Sequence, residues 1–191
     1  YENNVIEFNY NTDNSKKERQ DLPGEVFLEE IIVIDYNGKP IKKFKLNQTA
    51  NYFVSPSLDI HQDLTRQMNL IDSRLIKGID KRLKLEEIEE IFSNQKYRLE
   101  YYEEKPLINR FSFAQDYWGV YNGKRGQMSS IPAATITNFK GNTSFYGEAD
   151  KKPNLEYGII GNLKKIIYPT KGSLTIKYEA DQYFKKESDI G

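Results

Sequence analysis

The chain has 191 residues, 38% of them hydrophobic and 29% charged, with 28 basic side chains balancing 28 acidic ones. That balance leaves no net field to attract nucleic acid or an anionic membrane surface. The absence of cysteine excludes disulfides, thiolate metal sites and cysteine nucleophiles, and no apolar run approaches the ~20 residues of a membrane helix. The 14 Tyr and 10 Phe suit sheets better than helical bundles and predict an aromatic-rich core under a charged surface.

Val5-Ile-Glu-Phe-Asn-Tyr10 reads as the first strand, and the polar stretch 11–21 as a loop. Beginning at Tyr1 rather than Met, the chain reads as a piece of a longer polypeptide or a processed product. The segment 26–46 reads as a hairpin. Ile31 to Ile34 is continuously apolar, Asn37-Gly38 is the strongest turn signal, and the return strand carries Ile41 and Phe44. With positive φ at both Asn37 and Gly38, this would be a type I′ turn. Leu64, Met68, Ile71, Leu75 and Ile79 then recur at helical spacing, so one short helix is expected over 64–75, or else a long connection ordered by those residues.

The segment 83–102 is read as a second hairpin. Leu85-Glu-Glu-Ile88 suits a helix on propensity, but its likeness to Leu28-Glu-Glu-Ile31 and to Leu163-Lys-Lys-Ile166 argues for a strand. Ser93-Asn94-Gln95 is its expected turn, and Tyr97-Arg-Leu-Glu-Tyr101 alternates strictly. The stretch 106–158 is irregular, dense in Gly, Asn and aromatics, and reads as a long ordered loop region. The last hairpin, over 161–179, has Pro169 at a strand end, where its missing N–H is harmless. The expectation is therefore one mainly β domain, or fragment, of antiparallel hairpins forming a twisted sheet.

The final unit resembles the tyrosine–aspartate (YD) repeat of Rhs-type proteins. Gly161-Asn-Leu163, Ile166-Ile-Tyr168-Pro169, Gly172 and Tyr178-Glu179 fill the repeat's places, whereas the other two units lack the Pro–Gly turn. Asp116-Tyr-Trp-Gly119, Tyr121-Asn-Gly123 and Pro153-Asn-Leu155-Glu-Tyr157-Gly158 are similar to a segment of large surface or exported proteins of Bacteroidetes that adjoins such repeats. The likeness runs over about 83–183. It implies an exported, cell-surface or extracellular bacterial protein built of twisted hairpins. Its partners would be flanking domains or repeats of the same polypeptide.

The sequence offers little chemistry. His61, flanked by Asp59 and Asp63, is the single histidine, and a polar loop or helix start accounts for it. Glu86, Glu87, Glu89 and Glu90 suit a solvated face better than a pair of catalytic carboxylates, as do Glu103, Glu104 and Asp150. There is no calcium loop, phosphate cradle, zinc motif or nucleophile elbow, so neither an enzyme nor a cofactor or metal is expected.

The best binding candidates are Asp116, Tyr117, Trp118, Tyr121 and Asn122, whose rings and polar groups could take a glycan or other ligand. The competing reading makes Trp118 a packing plug between hairpins. The expected function is a non-catalytic structural or scaffold segment, with a carbohydrate- or ligand-binding module around Trp118 as the alternative.

Overall fold

Runs rich in Ile, Val, Phe and Tyr form strands where hairpins were expected. The computed structural model describes residues 4–11, 19–48, 52–55 and 78–180. The strands are β1 (Val5–Tyr10), β2 (Leu28–Ile34), β3 (Pro40–Asn47), β4 (Tyr52–Val54), β5 (Lys81–Leu83) and β6 (Glu87–Glu90). They continue as β7 (Gln95–Tyr101), β8 (Ala134–Thr137), β9 (Thr143–Tyr146), β10 (Leu163–Ile167) and β11 (Ser173–Thr175). The one described helix, α1 (Leu155–Gly158), is a single turn capped by the Asn154 side chain, which accepts from the Glu156 N–H.

Seven strands make one sheet in the order β1-β2-β3-β6-β7-β10-β11, and each neighbouring pair is antiparallel. It is a meander with two interruptions. The antiparallel β4–β5 pair is inserted between β3 and β6, and the irregular region carrying the β8–β9 hairpin between β7 and β10.

Directly opposed residues share a face. One face of the sheet therefore collects Ile31, Phe44, Leu46, Ile88, Tyr97, Leu99 and Ile166. The other carries rows of alternating charge. Glu30, Lys45, Glu89 and Lys96 lie side by side across four strands, and Asn47, Glu87 and Arg98 form the next row.

Among described strand residues only Glu90 is buried, so the sheet has no closed core of its own. The expectation of an aromatic-rich core is corrected. Among the described residues the buried apolar ones are Phe27, Ile79, Ile108, Ala114, Tyr121, Ala149 and Ile160, mostly aliphatic and all outside the strands. Ile108, Ala114 and Tyr121 form a cluster against Tyr157 within the irregular region. Among the described residues the large rings pair edge-to-face rather than filling a closed core. Phe53 meets Tyr101, Tyr97 meets Tyr168, and Tyr102 meets Tyr178.

Three local expectations also shift. Leu83 belongs to β5 rather than to the second hairpin, which begins at Glu87 and turns through Ile91 to Asn94. The β2–β3 turn is not type I′, since Gly38 has φ +80° while Asn37 is not left-handed. It is a three-residue loop in which the Gly38 N–H donates to the Asp35 carbonyl and the Asp35 N–H to the Lys39 carbonyl. In the stretch read as a loop, Asp21 is buried. Arg19 grips both its oxygens at 2.8 and 3.0 Å, and the Leu83 N–H donates to it at 3.2 Å. The expected helix over 64–75 and His61 lie outside the described residues.

Candidate functional site

The expected binding segment folds as a small hairpin within the irregular region. Gln115 and Tyr121 pair as an antiparallel bridge, and the Asn122 N–H donates to the Ala114 carbonyl. At its tip the Asp116 N–H donates to the Val120 carbonyl at 2.8 Å, and the Gly119 N–H to the Asp116 carbonyl at 3.3 Å. The Asp116 Oδ1 accepts from the Trp118 and Val120 N–H groups, both at 2.9 Å. Gly119, at φ +82°, holds the left-handed position that a side chain would strain.

The five expected residues separate into two groups. Asp116, Tyr121 and Asn122 are buried and structural. Tyr121 stacks edge-to-face on Tyr157 and accepts from Arg125 Nε at 3.0 Å. Asn122 Nδ2 donates to the Asp150 carbonyl at 2.7 Å, and its Oδ1 accepts from the Lys124 N–H. Tyr117 and Trp118 instead stand outward, 70% and 77% exposed. Trp118 therefore does not plug a gap between hairpins, because the turn points it away from the cluster its neighbours build.

Among the described residues the same turn occurs twice more. In the β2–β3 loop the Asp35 Oδ1 accepts from the Asn37 and Lys39 N–H groups, with Gly38 left-handed. In the β8–β9 loop the Asn138 Oδ1 accepts from Lys140 and Asn142, with Gly141 left-handed. Each has Asp or Asn first, an aromatic second and Gly fourth, and each holds its aromatic outward: Tyr36 at 57%, Tyr117 at 70% and Phe139 at 96% exposed. Sequence reasoning missed Tyr36 and Phe139, although the spacing Asx–aromatic–x–Gly was there to find. The physical reason is shared. The first side chain caps the turn's N–H groups, glycine takes the left-handed bend, and the second position faces solvent.

The acidic candidates are accounted for by cations or backbone. Burial works against the charge of Glu87, but Lys96, Arg98 and Asn47 outweigh it and hold its carboxyl below the usual range. Glu89 faces Lys96 at 3.4 Å, while Glu90 caps its own turn by accepting from Ser93. Glu103 pairs with Lys84 at 2.6 Å, Glu104 with Lys164, and Asp150 with Lys124 at 3.1 Å. Among the described residues no three His, Cys, Asp or Glu side chains gather to hold a metal, and no helix is long and apolar enough to cross a membrane. Comparison with protein-family models, with curated proteins and with solved structures gave no match.

Proposed function

We propose that this chain is a non-catalytic scaffold segment of a large exported or cell-surface bacterial protein of the Rhs/YD-repeat kind, whose sheet is continued by flanking strands. The observation that carries this reading is the outer edge of β1. The Ile91 N–H donates to the Lys43 carbonyl, so the backbone groups of Lys43 face β6 and those of Lys42 and Phe44 face β2. Val33 and Ile31 oppose these and face β3, which leaves Ile6 and Phe8, their partners on β1, with N–H and C=O pointing away from the sheet. No described strand pairs with that edge.

An edge meant to stay free is usually blunted by Lys or Pro. β1 has neither, and its Val5, Ile6, Phe8 and Tyr10 are all exposed. The opposite edge is short and polar, with Lys171 just before β11 and Lys177 just after it. Growth of the sheet at β1 is therefore favoured by both hydrogen-bonding capacity and side chains.

The test is sedimentation at rising concentration of the chain beside the Ile6→Lys, Phe8→Lys double variant. Association of the parent, lost in a variant with unchanged far-UV circular dichroism, supports the acceptor edge. A parent that stays monomeric, or a variant that associates equally, removes the argument from β1.

Tyr117 and Trp118 favour a second reading, a carbohydrate- or ligand-binding module. Two adjacent exposed rings on a doubly capped turn form a pre-ordered stacking surface for a sugar. Trp118 is the single tryptophan, so its emission reports on that surface alone. A shift and protection from iodide with one oligosaccharide supports this reading, and no change across a broad panel refutes it.

A further inference from the structure

Beside the Ile108–Ala114–Tyr121 cluster lies a cleft of about 350 Å³. Two arginines, Arg82 from β5 and Arg110 from the irregular region, line it together with Gln115 and Asn162, and Phe53 and Leu107 supply apolar wall. Volume and lining fit a small ligand held by a few polar groups.

Among the described residues the charges here do not balance. Three guanidinium groups, of Arg19, Arg82 and Arg110, gather around one carboxylate, Asp21. Arg19 takes Asp21 in a two-bonded fork, and Arg110 Nη2 reaches the same carboxylate only at 3.4 Å. Arg82 makes one described bond, from Nη2 to the neutral Ile108 carbonyl at 3.2 Å. Burial first, then the neighbouring Arg110 charge, push Arg82 below its ordinary value. Two residues that line the cleft carry buried donors with no acceptor among the described residues, Arg82 Nε and Arg110 Nε; a third such donor, Asn109 Nδ2, lies outside the lining. Buried donors without partners are rare, and a bound ion or water is the ordinary explanation for such a group. A partly buried cation that shares its one described counter-charge, Asp21, with two other guanidinium groups is costly as well.

We propose that this cleft binds an oxyanion, a carboxylate, sulfate or phosphate group, carried on a ligand with an apolar body. The arginine forks suit planar carboxylate and tetrahedral oxyanions alike. The apolar wall at Phe53 and Leu107 receives the rest of the ligand. The cleft shares Gln115, Gly119 and Tyr121 with the hairpin that carries Tyr117 and Trp118, but neither ring lines it, and the site does not depend on the scaffold reading.

The experiment is a thermal melt of the whole chain, followed by circular dichroism. Inorganic phosphate, sulfate, benzoate and glucuronate are compared with chloride at matched ionic strength and pH. A ligand at about ten times its Kd raises the Tm of a chain this size by about 3–6 °C. A response to phosphate or sulfate assigns a tetrahedral-oxyanion site, and a response confined to benzoate or glucuronate assigns a carboxylate site with a ring. Arg82→Gln and Arg110→Gln should each abolish the rise, and Arg82→Lys should restore part of it. The Nε–H signals of Arg82 and Arg110 in the unaltered chain should move on saturation, a readout that needs no variant. The proposal is overturned if no probe exceeds chloride, if the glutamine variants still respond fully, or if those signals stay still.

Discussion

Replacing Asp116 by Ala tests how the outward rings are held. The carboxylate accepts two backbone N–H groups, those of Trp118 and Val120, both at 2.9 Å. A hydrogen bond to a charged group contributes about 1.5–3 kcal/mol net. The Asp116 side chain is itself buried, so Asp116→Ala should cost about 1.5–3 kcal/mol. Asp116→Asn provides the internal control, because Asn138 already does the same work in the β8–β9 turn with bonds of 2.9 and 3.0 Å. Asparagine should therefore keep most of the stability, within about 0.5 kcal/mol of the parent. Urea unfolding reads the stability, and time-resolved anisotropy of Trp118 reads the turn. The alanine variant should show a lower midpoint at unchanged slope and faster local motion of the indole. If alanine matches the parent in both, the carboxylate does not order the turn. If asparagine is as damaging as alanine, charge rather than geometry holds it.

Gly123 has φ +78°, and a Cβ there would lie 2.5 Å from ring atoms of Tyr157, so Gly123→Ala should destabilise by about 2–5 kcal/mol, read as a fall in urea midpoint. For Asp21 burial opposes the charge, but the Arg19 fork and the Leu83 N–H outweigh it and lower its pKa. Its contribution should be complete above about pH 4 and disappear as pH falls through the depressed folded value. Asp21→Asn should remove that part of the acid dependence and cost about 3 kcal/mol at neutral pH, measured by urea melts across pH. Glu89→Lys would set three lysines in one row across β3, β6 and β7, for a loss of about 1 kcal/mol that about 0.5 M salt largely reverses in the same assay.

The hairpins were legible because their signals are local. Alternation in Tyr97, Leu99 and Tyr101, and Gly38 after Asn37, are read within a few residues. Leu85-Glu-Glu-Ile88 was resolved by likeness to its sister segments rather than by propensity, which pointed to helix. Strand order was not legible in detail, since the pairing of Asn47 with Glu87 and of Tyr101 with Leu163 spans insertions of about forty and sixty residues whose lengths carry no topology. The binding and plug readings of Trp118 stayed open because hydrophobicity alone gives no direction. Its orientation follows from a capping carboxylate two residues earlier and a left-handed glycine one residue later. The Asp21 cluster was illegible for another reason: Arg19 lies two residues away, but Leu83 and Arg110 reach Asp21 only through the tertiary fold.

The distribution of burial separates what the sheet does from what the irregular region does. A sheet with one charged face and one half-covered apolar face gains less from the hydrophobic effect than a sandwich of equal strand number. Its cohesion must come more from ladder hydrogen bonds, cross-strand pairs and neighbours along its edge. Such a sheet is suited to extension, since each added strand continues the same rows: Phe8 already extends the row of Ile31 and Phe44 to the very edge. The irregular region does the opposite. It spends its best-buried residues, Asn109, Ala114 and Asn122, on fixing short loops, and so holds the Trp118 turn and the arginine-lined cleft on a rigid base. The extension proposed at β1 and the recognition proposed in the insertion therefore rest on different residues. Lysines at Ile6 and Phe8 should leave the oxyanion response intact, and Arg82→Gln should leave association unchanged. Sedimentation and thermal melts on both variants check this, and a cross-effect in either direction would show that the two regions are not independent.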